Sequence, residues 1–419
     1  MNTISTTSSY KLALIYFALM LIPMELSGFV GDLRLEPYRV FLILVFLFNI
    51  RGMYHLYKND TIAKWLGFYC FLCLISYLVN HGSAGFQSAA ILFLEVWVGY
   101  FIGSRIAGDH EAFKKVLRIL ILAYLILVPF AIMEAQTGYR LLHMWAAKAV
   151  GGTATETLGP DYLRYGIHRA GTVFSHPILY SVCAVMFLPI IYVYYSKLKA
   201  TLLSSGIFVA MVTSVTSAGV VMAIITLGLY FARKLSLRIP SIFTNISIAF
   251  ISLFVFVSLF SDRGPVLFFA QVFSFNPQTA YMRYLQWMYA SDDIAANPWW
   301  GIGFADWSRP HWMPDSVDSY WLITTLQNGY PALIALGIAF ILSMKSYWQH
   351  WRYTGITIYF AYFCSIISLV FAAYTVDLFD RAPLIVFFAM GMFNSFLIKS
   401  LPEKVREAQR ASPSALAAA

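Results

Sequence analysis

Asp318, His176 and four arginines, Arg164, Arg169, Arg283 and Arg309, are the side chains whose types could do chemistry. Arginine presents a planar fork of donors that matches phosphate oxygens. A general base must lie near the hydroxyl it deprotonates. Among Glu156, Asp161, Asp292, Asp293, Asp306, Asp315 and Asp318, the last is best placed, at the mouth of the helix that begins SYWLITTLQ. Plainer roles stand beside these. Arg164 and Arg309 can touch headgroups or pair with Asp161 and Asp306. Asp318 can be the N-cap or first-turn acid of its helix, and the two roles can coexist. His176, before Pro177, is either a substrate contact or a hydrogen-bonded helix start. Trp287, Tyr289, Trp299, Trp300, Trp307, Trp312, Tyr320 and Trp321 crowd the same region. Such rings gather at membrane interfaces, and their faces also pack on the C–H side of sugars. Arg164, His176, Arg309, Tyr320, Trp287 and Trp307 are therefore candidate substrate-binding residues.

The elements that must position these groups are apolar. The chain of 419 residues is 60% hydrophobic and 12% charged, with a mean hydropathy of +0.69. That composition excludes an ordinary soluble domain and predicts an all-α integral membrane protein. A spanning helix needs about 20 mostly apolar residues. Segments that qualify lie near 10–28, 36–55, 63–80, 88–106, 113–134, 175–196, 201–217, 219–233, 242–260, 317–342, 353–374 and 380–398. They make about twelve spans in a single polytopic domain over 1–398. The first is read as an uncleaved span rather than a signal peptide. The segment 201–233 is too long for one helix and is predicted to break near Thr216–Gly219. The tail 399–419 is expected to be disordered and cytoplasmic.

Lysine gives the sidedness. Lys11, Lys58, Lys64, Lys114, Lys115, Lys197, Lys199, Lys234, Lys345, Lys399 and Lys404 fall on one side of this scheme, and Lys148 on the other. The lysine-rich side is cytoplasmic, and both termini lie there. Two long connections then lie outside, 137–174 and 261–316. The first opens with a short amphipathic helix in which Tyr139, Leu142, Trp145 and Ala146 share a face. The second belongs to a polar, Gly- and Pro-broken stretch from Ser261 to Pro331, read as the floor of the site. The four arginines thus lie outside, against the topological bias, and suit a lipid-linked phosphate or diphosphate. The net charge of +9 sits in short connections, so no nucleic acid partner is expected. No G-x-x-x-x-G-K-[ST] loop is present, which argues against ATP-driven chemistry. Cys70, Cys73, Cys183 and Cys364 all fall in apolar runs, so neither a disulfide nor a metal site is expected. Glu95, within the fourth span, either pairs with an arginine of another span or lines a cavity.

The order of motifs resembles a known family. Arg169-Ala-Gly171-Thr172-Val-Phe174-Ser-His-Pro177 is followed by Ser217-Ala218-Gly219 at the helix break. Arg283 and Trp287 come next, then Asn297-Pro298-Trp-Trp-Gly301-Ile-Gly303. Asp318-Ser319-Tyr320 and Asn328-Gly329-Tyr330-Pro331 close the series. This resembles the O-antigen ligase and polymerase superfamily, the Wzy-type polysaccharide polymerases and their ligase relatives, over about residues 10–398. The resemblance implies a GT-C-type glycosyltransferase in the bacterial inner membrane, with its site facing the periplasm. It implies inverting, metal-independent transfer, without a cofactor, of a glycan carried on undecaprenyl diphosphate. Donor, acceptor and membrane lipid are then the partners, and whether a chain-length regulator protein joins them is open. Arg169 and Arg283 match the arginines that hold the diphosphate, and with Asp318 they form the implied catalytic set. Two departures stand out. Asp318 occupies a place where ligases of the family have histidine, which favours a polymerase. Ala218 stands where a basic residue is common, so one diphosphate contact is missing or comes from another arginine, such as Arg309. The alternatives are a ligase passing finished glycan to a lipid or protein, and a transporter or flippase of lipid-linked sugar. A transporter should show internal repeats, and none is evident.

Overall fold

In lipid, a spanning segment must satisfy its own backbone, and the α-helix does so within one segment. The computed structural model describes residues 6–30, 33–106, 110–154, 157–159, 162–261, 264–274 and 276–400. Glu156, Asp161 and residues 401–419, with Lys404, lie outside them. The described chain is mostly helical, and a helix stands in each of the twelve apolar segments. Seven helical stretches are long and apolar enough to cross a membrane, by length and composition: 37–59, 61–105, 111–137, 177–194, 217–236, 242–260 and 320–354. Three shorter helices, Lys11–Met20, Thr357–Ala372 and Ala382–Ser395, are apolar as well.

Several boundaries differ from the sequence reading. Helix α1 (Thr6–Met20) stops short of residue 28. Pro23 follows it, and the chain turns into a two-stranded ribbon, β1 (Gly28–Val30) with β2 (Leu33–Leu35). Helices α2 (Pro37–Asn59) and α3 (Thr61–His81) come next. The 61–105 stretch is a hairpin: α3 turns at Gly82 into α4 (Gly85–Phe93), which passes through a π-helical turn into α5 (Gly99–Arg105). Helix α6 (His110–Thr137) leads to the short α7 (Leu141–Ala149). On α7, Trp145 and the preceding Tyr139 are exposed while Ala146 is buried, so the four predicted positions do not share one environment. The predicted sixth span is two helices, α8 (Pro177–Val185) and α9 (Leu188–Tyr194), with Pro189 in the first turn of the second. Helix α10 (Lys197–Ser214) and α11 (Ser217–Ser236) are separated by the expected break. There Val215 sits in the left-handed region at φ 45°, a strained place for a β-branched residue.

Helix α12 (Ile242–Phe260) buries almost none of its apolar surface, with only Val257 buried. Such a surface suits a lipid neighbour and not water. The predicted loop 261–316 is itself largely helical, with α13 (Gly264–Val272) and α14 (Pro277–Ala296). It carries a small core of its own, in which Leu285, Ile294 and Trp307 meet Leu322 and Leu326 of α15 (Tyr320–Thr354). The main core gathers the other helices. Within it α5 packs against α17 (Ala382–Ser400), where a side chain on Gly103 would strike the Phe388 backbone and one on Gly391 the Tyr100 backbone. Close backbone approach of this kind is a common way for helices to associate in lipid.

The motif from Asn297 to Gly303 has a structural task. Helix α15 kinks at Gly329, where φ is 78°. The kink frees carbonyls, and buried backbone groups need partners. Ile302 N–H donates to the Leu326 carbonyl at 2.8 Å, and Gly303 N–H to that of Gln327 at 3.0 Å. Tyr330 N–H returns a bond to the Pro298 carbonyl at 2.9 Å. A β-carbon on Gly301 or Gly329 would collide with the opposite backbone, so the two glycines let the strands of chain meet. Helix α16 (Thr357–Ala372) completes the bundle.

Candidate functional site

The segment between α7 and α8 places two arginines by backbone hydrogen bonds. Strands β3 (Leu163–Arg164) and β4 (Ile167–His168) form a ribbon turned by Tyr165 and Gly166, both at positive φ. Two such residues make the turn that matches strand twist. Arg169 N–H then donates to the Tyr162 carbonyl at 2.8 Å, and Ala170 N–H to Thr213 at the end of α10 at 2.9 Å. Glu134, near the end of α6 and only 3% exposed, accepts Gly171 N–H at 3.3 Å and Thr172 N–H at 2.9 Å. Arg140 lies 3.7 Å from the same carboxylate. His143 accepts from Arg140 at 2.7 Å and stands 2.8 Å from Glu25. A buried polar chain thus runs from Glu25 to the loop that carries Arg169.

Arg283 comes from α14, and Asp318 from the residue pair that starts α15. Ser319, not Asp318, is the N-cap, and its hydroxyl accepts Leu322 N–H. Gln286 fixes the approach: its carbonyl oxygen accepts Asp318 N–H at 3.0 Å, and its amide donates to the Ser316 carbonyl at 3.0 Å.

These pieces enclose a cavity of about 120 Å³ lined by Arg164, Arg169, His176, Arg283 and Asp318. Thr216, Ser217 and Ala218, where α11 begins, line the same cavity. The N-cap Thr216 makes no side-chain capping bond. A helix N-terminus of this kind attracts anions. Three guanidinium groups face one carboxylate. Arg169 is 4% and Arg283 5% exposed. Arg283 donates to the Ser274 hydroxyl at 2.5 Å and lies 3.8 Å from the Asp318 carboxylate. Arg169 donates to the Ser214 carbonyl at 3.3 Å. Even so, Arg169 Nη2 is buried without a hydrogen-bond partner, and Arg283 Nε meets only the Asp318 carboxylate, beyond hydrogen-bond reach at 3.8 Å. A buried donor left open costs about 1–3 kcal/mol, more when charged, and buried polar groups are nearly always paired.

Electrostatics point the same way. Burial, then the charge of Arg164 and later of Arg283, pushes Arg169 down to about 10, so it stays cationic at neutral pH. Burial and the neighbouring arginines push His176 down to about 4. That histidine is neutral, and its Nδ1 accepts Ile178 N–H at 3.2 Å as the N-cap of α8. Burial raises the Asp318 carboxyl above its usual range against the pull of Arg283. The Asp318 side chain is 39% open, and it lines the cavity.

Five of the nine sequence candidates therefore meet: Arg164, Arg169, His176, Arg283 and Asp318. The other four lie elsewhere. Arg309 pairs with Asp306, bonds the Met313 carbonyl at 3.2 Å and lies over the Trp307 ring. Trp307 is buried, and its indole donates to the Asp315 carbonyl at 2.8 Å. Trp287 stacks on Tyr374. Tyr320 lines a second cavity that also holds Glu95 and Asp377. Glu95 pairs with Arg39 of α2 at 3.0 Å. Burial, then the charge of Asp318, raises Asp377 to about 7. Sequence reasoning missed Asp377, Glu134 and the Arg140–His143–Glu25 chain. Asp377 left a signal, because YTVDLFDR between the last two apolar segments is an outer connection under the lysine rule.

No family model matches the chain, and no curated protein matches it in sequence.

Proposed function

We propose that this chain is a polysaccharide polymerase of the bacterial inner membrane that joins repeat units carried on undecaprenyl diphosphate. The reading takes about twelve spans, a GT-C-type fold, cytoplasmic termini and a site facing the periplasm. The observation that carries it is the buried guanidinium pair of Arg169, whose Nη2 has no partner, and Arg283, whose Nε has only Asp318 at 3.8 Å. They lie beside a carboxylate, in a cavity at the end of apolar helices. A diphosphate on a lipid supplies oxygens to those donors and a tail to the membrane.

The acceptor hydroxyl attacks the anomeric carbon of the donor glycan. A new C–O bond forms, and the bond from that carbon to the diphosphate breaks. The electron pair leaves with the diphosphate, whose growing charge Arg169 and Arg283 neutralise. Asp318 takes the proton of the attacking hydroxyl. Arg164 supplies the third cation, in place of the basic residue that Ala218 replaces, and Arg309 is held away from this role by Asp306.

Purified protein in liposomes, given the lipid-linked repeat unit of the parent strain, tests the proposal. A product ladder spaced by one repeat unit and lost in Arg283→Ala is the expected result. Transfer of preformed glycan to an added acceptor, with no ladder, would instead make the chain a ligase. Movement of the lipid-linked sugar between leaflets without either product would make it a transporter.

A further inference from the structure

The second cavity lies on the other side of the Asp318–Tyr320 turn from the arginine cavity and has the opposite character. It holds about 360 Å³, within the range of small-molecule sites. Its wall combines Tyr77, Phe304, Gln327, Asn328 and Asp377. The Phe304 ring stacks on Tyr77 with centroids 4.6 Å apart and on His81 at 5.5 Å, yet Phe304 is 51% exposed, so part of the ring stays open. Asn328 is 2% exposed, and its Oδ1 has no partner. An unpaired amide oxygen at that depth calls for a donor. No arginine lines this cavity. Its acids are Glu95, neutralised by Arg39, Asp380, neutralised by Arg381, and Asp377, which has no ion pair among the described residues.

A partly open aromatic ring, an acceptor-only amide oxygen, a primary amide and an unpaired carboxylate are what a sugar ring needs. The aromatic ring packs on the axial C–H bonds, and the oxygens take hydroxyl protons. The same set offers an anion no cation to pair with. We propose that this cavity is a carbohydrate subsite that stacks a non-anionic sugar ring on Phe304 and holds its hydroxyls with Asn328 and Asp377. The inference deepens the polymerase reading and rests on it for one point only, that the bound ring belongs to the acceptor. Its hydroxyl then lies toward Asp318, while the diphosphate of the donor stays with the arginines. Acceptors that end in a uronic acid are disfavoured, because no cation lines this cavity to pair with their carboxylate.

Saturation-transfer NMR on the full chain in detergent tests this with methyl glycosides of glucose, galactose, N-acetylglucosamine, glucosamine and glucuronic acid. At least one of the first four should receive saturation, and the glucuronide should not. Inorganic diphosphate should leave that signal in place. Asp377→Asn and the surface change Phe304→Ala should each weaken binding by about tenfold. Because Phe304 is half exposed, its variant reports even where Asp377→Asn destabilises the protein. Absence of transfer to all four glycosides, preference for the glucuronide, or a signal untouched by both substitutions would overturn the subsite. Diphosphate binding, measured alongside, separates the two ideas. If it occurs and is lost in Arg283→Ala while no sugar binds, the subsite fails and the phosphate grip stands. If sugar binds as described but diphosphate does not, the subsite stands and the polymerase reading fails.

Discussion

Arg381 and Arg283 are both buried, and they are satisfied in opposite ways. Arg381 is 1% exposed. It donates to the carbonyls of Met20 and Ile22 at 2.7 Å each, to Glu36 at 3.2 Å and to Asp380 at 3.1 Å. Every edge of its guanidinium meets an acceptor, and the result ties the end of α1 to the start of α17. Arg283 and Arg169 are nearly as deep, but Arg169 Nη2 has no partner and Arg283 Nε has only Asp318 at 3.8 Å, the single carboxylate between them and Arg164. Burial of arginine therefore does not mark function in this protein. What sets Arg169 and Arg283 apart is that they line one cavity with Arg164, and Asp318 is the carboxylate they share there.

Substitutions at the two kinds of arginine should separate stability from activity. Arg381→Ala leaves Glu36 and Asp380 uncompensated, and should cost about 3–5 kcal/mol of stability. Thermal unfolding in detergent would read this as a large drop in midpoint, and an unchanged midpoint would break the contrast. Arg283→Ala should lower polymer yield about 10²–10³-fold, by analogy with the loss of one anion-stabilising donor. Its midpoint should fall less than that of Arg381→Ala, because the carboxylate left behind, Asp318, is 39% open to solvent. Arg309→Ala, measured in the same assay, should change yield less than about twofold, because surface pairs are worth ~0–1 kcal/mol.

Glu134→Gln sharpens the comparison from the supporting side. The amide keeps one oxygen, for Thr172 N–H, but loses the oxygen that takes Gly171 N–H and the charge beside Arg140. About a tenfold loss of yield is expected, as for a charge-assisted bond weakened to a neutral one. Wild-type yield would show that the loop carrying Arg169 does not need the buried acid. A last effect is one of pH. His176 sits at about 4 when folded, below its unfolded value of roughly 6.5. Between those values the unfolded chain binds more protons, so stability rises with pH across the window and falls as pH drops through it. His176→Asn keeps a capping acceptor and should remove that part of the pH dependence. Parallel midpoint curves for wild type and variant from pH 4 to 6.5 would contradict it.

The sequence carried the helices well, because a run of apolar residues long enough for a bilayer has few other ways to satisfy its backbone. It also carried the arginine cavity. Arg164, Arg169 and Arg283 stand out by running against the lysine bias, and this needs no knowledge of contacts. What stayed hidden depends on pairing across long stretches of chain. Asn297 to Gly303 looks like a binding loop, and only the kink at Gly329 reveals it as a clamp on α15. Arg309 and Trp307 look like ligands until Asp306 and Asp315 are seen to hold them. Glu134 and Asp377 are single carboxylates at the ends of apolar runs. Nothing local tells them from caps until the Arg169 loop and the second cavity fold onto them.

The central claim is that the buried guanidinium groups of Arg169 and Arg283 form a site for a lipid diphosphate. Native mass spectrometry of the purified chain with undecaprenyl diphosphate and with undecaprenol, for wild type and the Arg169→Ala, Arg283→Ala double variant, tests it most directly. The account predicts that wild type retains the diphosphate and not the alcohol, and that the double variant, still folded, retains neither. Equal retention of the two lipids by wild type, or of the diphosphate by both proteins, would contradict it.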